Sequence, residues 1–348
     1  MTVSSTRAMI VLAIWIGFST SAFAQTNPNS AMELFRARRW KEAAAAFAAA
    51  EKIQPGKTDA LLYQAKALVN LGEFHAADDA LHGFVALHPK RDDALYLLAY
   101  IRFRENQPKE SLQLFTDAAQ IKPPSADDLK VIALDYVLLN DYTSAARHLE
   151  EALRLDPANT EALYHLGRVR YQQNQFDQAV AAFREVLKRE PDNVKAEDNL
   201  GLSLEGKDQV DDAILAYRRA IRLDRASLVR SEQPYMDLGL LLTKLNKAVE
   251  SVSLMEEAAQ IAPQSEQVCR ELGKAYFVVH RLEDAQRETE RAVQLDPKDA
   301  AAHYFLGRIY HRLGKSDLAT QHFNTTEELI RLERSKTGGM GMSGTERR

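Results

Sequence analysis

The chain has 348 residues, 45% hydrophobic and 27% charged, which excludes a collagen-like, a wholly disordered or a polytopic membrane protein. Its 45 Lys and Arg against 49 Asp and Glu give a formal net charge of −4, without the basic excess of a dedicated nucleic-acid binder. The single cysteine, Cys269, excludes an intrachain disulfide framework and a zinc site built on cysteines.

Residues 1–24 have the organisation of a cleavable signal peptide. Arg7 precedes an uncharged apolar run over residues 8–18, and Ala22-Phe23-Ala24 supplies a small-residue cleavage site. The run is shorter than the ~20 residues that a membrane-spanning helix requires. We therefore expect cleavage after Ala24, no membrane span in the mature chain, and a periplasmic or secreted protein. An uncleaved membrane anchor is the alternative.

A 34-residue register runs through the rest of the chain. Proline recurs at this interval up to Pro191, and Arg225 stands where the next proline is due. The prolines after it keep the 34-residue interval but are displaced by four residues. We number each 34-residue repeat as one frame and place its proline at position 32. The residue at position 20 is then small in all nine frames, and the residue at position 8 is always Ala or Gly. The prolines are Pro55, Pro89, Pro123, Pro157, Pro191, Pro263 and Pro297. The residues at position 20 are Ala43, Ala77, Ser111, Ala145, Ala179, Ala213, Ser251, Ala285 and Ala319.

Each frame predicts two helices that pack closely. In residues 160–193, Leu163 and Gly167 share a face of the first helix, and Ala179 and Phe183 share a face of the second. Small residues on both faces let the two backbones approach. The proline ends the second helix because it lacks an N–H and disfavours helical geometry in the residue before it.

This pattern resembles the tetratricopeptide repeat family, most closely in residues 160–193, TEALYHLGRVRYQQNQFDQAVAAFREVLKREPDN. The resemblance covers roughly residues 28–333. It implies an all-α fold, a right-handed α-solenoid of about nine helix-turn-helix repeats, and a binding surface rather than an enzyme. Within a solenoid of residues 25–335, the repeats are expected at about 25–57, 58–91, 92–125, 126–159, 160–193, 194–227, 232–265, 266–299 and 300–333.

Two segments depart from the pattern. Residues 226–233 contain the four-residue slip, where the terminating proline is missing, and the sequence leaves open a bend, a longer loop or a helix extension. Residues 336–348 are Gly-rich and lack periodicity, which predicts a disordered tail.

The sequence contains fragments of known nucleotide-binding and metal-binding motifs, but their residue spacing does not match those motifs. Gly56-Lys57-Thr58 and Gly314-Lys315-Ser316 resemble the end of a phosphate loop, but Glu51 and Ile309 stand where the motif requires glycine. The nine histidines contain no H-E-x-x-H motif. Cys269 occupies a packing position of the frame, which indicates a small buried hydrophobe. We therefore predict no enzyme, no cofactor, no metal and no nucleic-acid partner.

In the family that this chain resembles, the first helix of each repeat lines a concave groove. The positions that this geometry directs into the groove are aromatic and basic here, and Tyr, Phe and Arg are residue types that anchor interfaces. Ordinary solvated helix residues are the alternative interpretation. The candidate partner-binding residues are Lys66, Tyr96, Tyr100, Phe103, Arg104, Lys130, Tyr164, Arg168, Tyr171, Arg270, Lys274, Phe277, Tyr304 and Arg308.

These observations predict an exported protein–protein interaction scaffold. It would hold a peptide or partner protein with acidic and apolar groups in the groove. The alternative is a glycan- or cell-wall-binding module that uses the groove aromatics. The family's clamp for a peptide C-terminus is matched only at Lys130 and Lys195, so chaperone-tail binding is not supported. The sequence specifies neither the partner nor the oligomeric state.

Overall fold

The computed structural model describes residues 28–56 and 59–338, with side chains placed from residue 30 to residue 335. The predicted signal peptide lies outside the described residues. Within those ranges the chain is all-α and contains no strand. The part of the chain that the structure describes also contains no helix that is both long and apolar enough to cross a membrane.

Eighteen helices follow one another as nine pairs over the described ranges. The first helices of the pairs are α1 (Pro28–Arg36), α3 (Ala60–Leu71), α5 (Asp92–Arg104), α7 (Ala126–Leu138), α9 (Thr160–Gln172), α11 (Val194–Gly206), α13 (Gln233–Lys244), α15 (Glu266–Val278) and α17 (Ala300–Arg312). The second helices are α2 (Trp40–Ile53), α4 (Phe74–Leu87), α6 (Pro108–Ala119), α8 (Tyr142–Leu155), α10 (Phe176–Arg189), α12 (Val210–Ala226), α14 (Ala248–Ile261), α16 (Leu282–Leu295) and α18 (Ser316–Gly338). The expectation of an all-α helical repeat array is confirmed.

The chain forms two compact units that divide between Pro157 and Ala158. Helices α1–α8 belong to the first unit and α9–α18 to the second. Each unit has its own apolar core, with Leu62 and Phe84 in the first and Phe183 and Tyr217 in the second. The sequence register, which is continuous from residue 126 to residue 193, does not reveal this division.

The small residues of the register lie where the two helices of a pair meet. All nine residues at position 20, from Ala43 to Ala319, are buried. At position 8, an added Cβ on Gly167 would lie 2.9 Å from the ring of Phe183. On Gly201 it would lie 2.6 Å from the ring of Tyr217. Glycine is required there because a buried ring occupies the space.

A left-handed residue separates the two helices of every described pair. These residues are Arg38, Gly72, Asn106, Asn140, Asn174, Asp208, Asn246, His280 and Gly314. Glycine reaches this conformation without strain, and Asn and Asp tolerate it better than most residues. Seven of the nine are of these types, so this position is a second helix-ending signal besides the proline.

The slip at residues 226–233 combines a helix extension with a longer loop. Helix α12 has 17 residues, whereas α8, α10 and α14 have 14 each. The loop that follows is anchored by Asp224, which is 1% exposed. Its carboxylate accepts hydrogen bonds from the Ser231 backbone N–H at 2.7 Å and the Tyr235 hydroxyl at 3.1 Å. Helix α18 continues to Gly338, so the prediction of a disordered tail is wrong for residues 336–338, where the helix simply extends. Residues 339–348 lie outside the described residues.

Candidate partner-binding surface

In the first unit, three of the candidate residues form one exposed cluster at the end of α5. The Arg104 Nη1 atom donates a hydrogen bond of 2.8 Å to the Tyr100 hydroxyl, and the Tyr100 and Phe103 ring centroids are 6.3 Å apart. The guanidinium also lies 4.4 Å from the ring centroid of Phe74. Among the described residues, no carboxylate lies within ion-pair distance of Arg104. The cluster therefore presents a cation held against aromatic rings.

The other three candidates of the first unit are already engaged within the fold. Tyr96 is 9% exposed, its hydroxyl donates a hydrogen bond of 2.6 Å to the Lys122 carbonyl, and burial raises its pKa to about 12. Tyr96 therefore packs within the fold, and its role in partner binding stays a prediction. Lys66 Nζ lies 3.2 Å from an Asp93 carboxylate oxygen, and Lys130 Nζ lies 3.2 Å from one of Asp127. These two ammonium groups are partly neutralised before any partner arrives.

In the second unit, Tyr164, Arg168 and Tyr171 lie on one face of α9, between two adjoining depressions of about 530 Å³ and 430 Å³. Tyr164, Arg168 and Lys195 line both depressions. The first is completed by Thr160, Glu161, His165, Glu190 and Asn193. The second is completed by Tyr171, Gln172, Val194, Asp198, Asn199, Leu202, Gln233 and Pro234. We call the residues of these two depressions the Arg168 surface.

Arg168 and Lys195 give this surface its charge. Both side chains are exposed, and in the described part of the chain neither lies within 4 Å of a carboxylate. Tyr164 between them is held by a hydrogen bond of 3.2 Å from Asn199 Nδ2 to its hydroxyl. Burial raises the pKa of Tyr164, and the charge of Arg168 partly opposes that rise. The two cations are thus presented beside an oriented, neutral ring.

Two buried carboxyl groups lie beneath the second depression. Gln233 Nε2 donates to both Asp237 carboxylate oxygens, at 3.0 and 3.1 Å. Burial raises the pKa of Asp237 to about 6, and burial together with the Asp237 charge holds the pKa of Asp198 well above its usual range. The pair therefore carries less than two full negative charges at neutral pH, which limits how far it offsets the charges of Arg168 and Lys195.

Lys195, Asp198 and Leu202 belong to this surface but are not among the candidate residues predicted from the sequence. They occupy positions 2, 5 and 9 of the frame at residues 194–227. The same three positions hold predicted groove residues in other frames. Applying those positions to residues 194–227 therefore identifies Lys195, Asp198 and Leu202 from the sequence.

A third cluster lies on α15 and α17. The Phe277 and Phe305 ring centroids are 5.3 Å apart, and the Arg308 guanidinium lies 5.4 Å from the first and 5.5 Å from the second. Tyr304 is 51% exposed. Among the described residues no carboxylate lies within ion-pair distance of Arg308. Tyr304 and Arg308 are thus exposed beside the buried Phe305, and the cluster resembles the Tyr100–Arg104 cluster in chemistry.

Arg270 and Lys274 differ from what the sequence suggested, because neighbouring carboxylates neutralise them. Arg270 is partly buried and pairs with Glu266 at 2.5 Å, with Glu271 at 3.3 Å and with Asp299. Lys274 pairs with Glu271 at 2.8 Å. These two candidates therefore already belong to an ion-pair network within the fold, and their role in partner binding stays a prediction.

Stacked helix pairs with exposed aromatic and basic residues on their first helices define a helical repeat protein, a class that typically serves as an interaction scaffold. Sequence profiles described as tetratricopeptide repeat match residues 62–126, 136–200 and 270–329. Together these stretches make up more than half of the chain. The protein belongs to the tetratricopeptide repeat family.

Similarity to curated proteins is partial. The chain is 23% identical over 267 residues to BBSome complex member BBS4 of Bos taurus, covering 76% of this chain and 43% of that protein. It is 36% identical over 74 residues to BBSome complex member BBS4 of Xenopus tropicalis, covering 21% of this chain and 14% of that protein. The chain thus spans less than half the length of these relatives.

Solved structures share the fold. A tetratricopeptide repeat protein from Parabacteroides merdae superimposes with a TM-score of 0.58 at 18% identity, covering 72% of this chain and 97% of that one. Yeast Tom70 superimposes with a TM-score of 0.56 at 18% identity, covering 94% of this chain and 68% of that one. At this level of identity the likeness establishes the fold alone.

Proposed function

We propose that this protein is an exported scaffold that binds a peptide or partner protein through the Arg168 surface. The observation that carries the proposal is the placement of two exposed cations, Arg168 and Lys195, which form no ion pair with a described residue, beside the rings of Tyr164 and Tyr171. Exposed arginine and tyrosine in a depression are the usual anchors of protein interfaces. The proposal assigns no catalytic step to the surface.

The chemistry of the two depressions selects the partner. An acidic side chain fits between Arg168 and Lys195, where its charge is matched and a bidentate hydrogen bond to the guanidinium is available. An apolar side chain fits the second depression, against Tyr171, Leu202 and Pro234. A segment with an acidic and an apolar residue a few positions apart therefore complements the surface.

Export is the second element of the proposal. It rests on the basic start, the short apolar run and the Ala22-Phe23-Ala24 site of residues 1–24. Cleavage at that site would release the repeat array into the periplasm or the medium, where it meets its partner.

Site-specific photocrosslinking tests the binding surface in the native host. A benzophenone side chain replaces Gln172, which is exposed and lines the second depression. The matched control carries it at Val249, which is 81% exposed on α14. We expect a protein adduct from position 172 and none from position 249. Equal adducts at both positions, or none at 172, contradict the proposal, and a glycan adduct at 172 supports the alternative function.

A further inference from the structure

One frame places a carboxylate at the fourth position of the register. Four frames carry leucine there, and the frame of α11 carries Glu197. The leucines are Leu61, Leu95, Leu129 and Leu163. Glu197 is nonetheless fully buried, with 0% of its surface exposed. A carboxylate therefore occupies a position that four other frames fill with leucine.

Glu197 is poorly satisfied in that position. Both carboxylate oxygens are shielded from solvent and make no hydrogen bond to any described residue. Arg219 Nε lies 3.3 Å from one of them, but 59% of the Arg219 side chain is exposed. A buried carboxylate without hydrogen bonds destabilises a fold, and leucine would pack there at no such cost. Local rules broken without a stability gain mark functional sites.

A depression of about 440 Å³ opens beside Glu197, between α10, α11 and α12. Its apolar walls are Leu187, Leu200, Leu204, Leu215 and Ala216, and Leu215 is 59% exposed. Its charged lining residues are Arg184, Lys188, Asp212 and Arg219, besides Glu197. None of these residues lines the Arg168 surface, so this depression is a separate feature of the second unit.

We propose that this depression is a second binding site, which accepts one arginine side chain of a protein partner. The methylene stem lies along the leucines and the guanidinium reaches Glu197. Arginine fits better than lysine because its planar fork satisfies both free carboxylate oxygens at once, whereas an ammonium group is a point charge. To reach Glu197 the incoming guanidinium displaces the exposed Arg219, which is the group that now covers the carboxylate.

The rim restricts the partner further. Arg184 and Lys188 are exposed at the mouth of the depression, and Lys188 is paired with Glu185 at 2.8 Å. Arg184, Lys188 and Arg219 outnumber Asp212 among the exposed charges of the lining, although Glu185 offsets Lys188. This excess of positive charge disfavours a run of basic residues, so the site selects a single arginine in an otherwise uncharged or acidic segment. This second site and the Arg168 surface therefore demand different groups from their partners.

The test uses small probes and leucine methyl NMR of the purified full-length protein. Butylguanidinium copies the arginine side chain, N-butylurea has the same shape without the charge, and butylammonium copies lysine. We expect butylguanidinium to give saturable shifts at Leu187, Leu200, Leu204 and Leu215, and to bind about tenfold or more tightly than either other probe. Glu197→Leu should abolish these shifts, and Arg168→Ala should leave them unchanged.

Glu197→Leu also reports on stability, because it restores the leucine of the other frames. We expect it to unfold at an equal or higher urea concentration than wild type, so that loss of binding is not loss of fold. Glu197→Gln, of the same shape, should weaken binding as well. The proposal is overturned by equal binding of the three probes, by no saturable shift in the wild type, or by unchanged binding in both Glu197 variants.

Discussion

The Ser111 hydroxyl oxygen lies 2.5 Å from Asp135 Oδ2 and 2.9 Å from the Ala99 carbonyl oxygen, with both side chains fully buried in the first unit. A hydroxyl has one hydrogen, so both contacts are hydrogen bonds only when Asp135 is protonated and donates to Ser111. Burial raises the pKa of Asp135 to about 7, in agreement with that arrangement. The stability of the packing among α5, α6 and α7 is thus coupled to the protonation of Asp135.

The stability of the first unit should therefore fall as pH rises from about 4 to about 7. In this window folded Asp135 keeps a proton that the unfolded chain, with a pKa near 3.9, has lost. The slope is at most about 1.4 kcal/mol per pH unit. Asp135→Asn should remove this slope, because its amide donates to Ser111 at every pH.

Urea unfolding followed by Trp40 fluorescence checks this prediction, because Trp40 lies on α2 of the first unit. Midpoints at about pH 5 and pH 8 are compared for wild type and Asp135→Asn. A wild-type midpoint that does not fall between these values, or an equal fall in the variant, contradicts the role assigned to Asp135.

Close packing at the small positions gives a second prediction. Gly201→Ala should destabilise the second unit by about 1–3 kcal/mol, because its Cβ would meet the ring of Tyr217 at 2.6 Å. That ring is fully buried, and its hydroxyl donates a hydrogen bond of 3.1 Å to Glu205, so it cannot move aside freely. Urea unfolding followed by circular dichroism gives the change in stability.

Gly83→Ala is the matched control for that measurement. Gly83 also lies within a helix, α4, but its added Cβ would lie 3.5 Å from Leu61, an ordinary contact. Since alanine favours helix by about 1 kcal/mol over glycine, this variant should be as stable as wild type or more so. Similar losses in the two variants would contradict the role assigned to the Tyr217 ring.

The last helix pair should weaken in acid. His303 and His322 face each other through their Nδ1 atoms at 2.9 Å, and His303 Nε2 lies 3.2 Å from the Pro297 carbonyl oxygen. His303 therefore donates from Nε2 and accepts at Nδ1, which leaves His322 as the donor. Burial lowers the pKa of His322, so the unfolded chain binds protons more readily and stability falls as pH drops below about 6.5.

Hydrogen exchange of α17 and α18 at about pH 5 and pH 7.5, corrected for intrinsic rates, measures that effect. His322→Phe keeps an aromatic ring beside Tyr310 and removes the titration. We expect protection to drop at pH 5 in wild type and to change less in the variant. Equal protection of the wild type at both pH values would rule out a role for this histidine pair.

The helix pairs and their packing positions could be read from the sequence because they depend on periodicity and residue size. Ala179 and Gly167 illustrate this, since any larger side chain in their place meets another helix. Whether a neighbouring carboxylate neutralises an exposed basic residue could not be predicted in this way. Arg270 occupies a groove position as Arg168 does, but Asp299, 29 residues further along, neutralises only Arg270.

Glu197 shows a second limit of prediction from the sequence. Leucine fills its position in four other frames, but only the structure shows that the carboxylate is both buried and without a hydrogen bond. The division into two units cannot be predicted from the repeat register, because the 34-residue spacing continues across Pro157.

N-terminal sequencing of the protein from its native host tests export. We expect the mature chain to begin at Gln25, because Ala22-Phe23-Ala24 precedes it as a cleavage site. A chain that retains Met1 would contradict both the cleavage and the route of export.

The affinity of the crosslinked partner for wild type and Arg168→Ala, at about 50 and 300 mM salt, decides whether the Arg168 surface binds. Exposed charges are screened within about 10 Å at 0.1 M salt, so Arg168→Ala should weaken binding most at low salt and reduce its salt dependence. Tyr171→Ala should cost about 2 kcal/mol at both salt concentrations. Arg154→Ala, an exposed arginine on α8, should bind as wild type does. An Arg168→Ala protein with wild-type affinity and the same salt dependence would contradict binding at this surface.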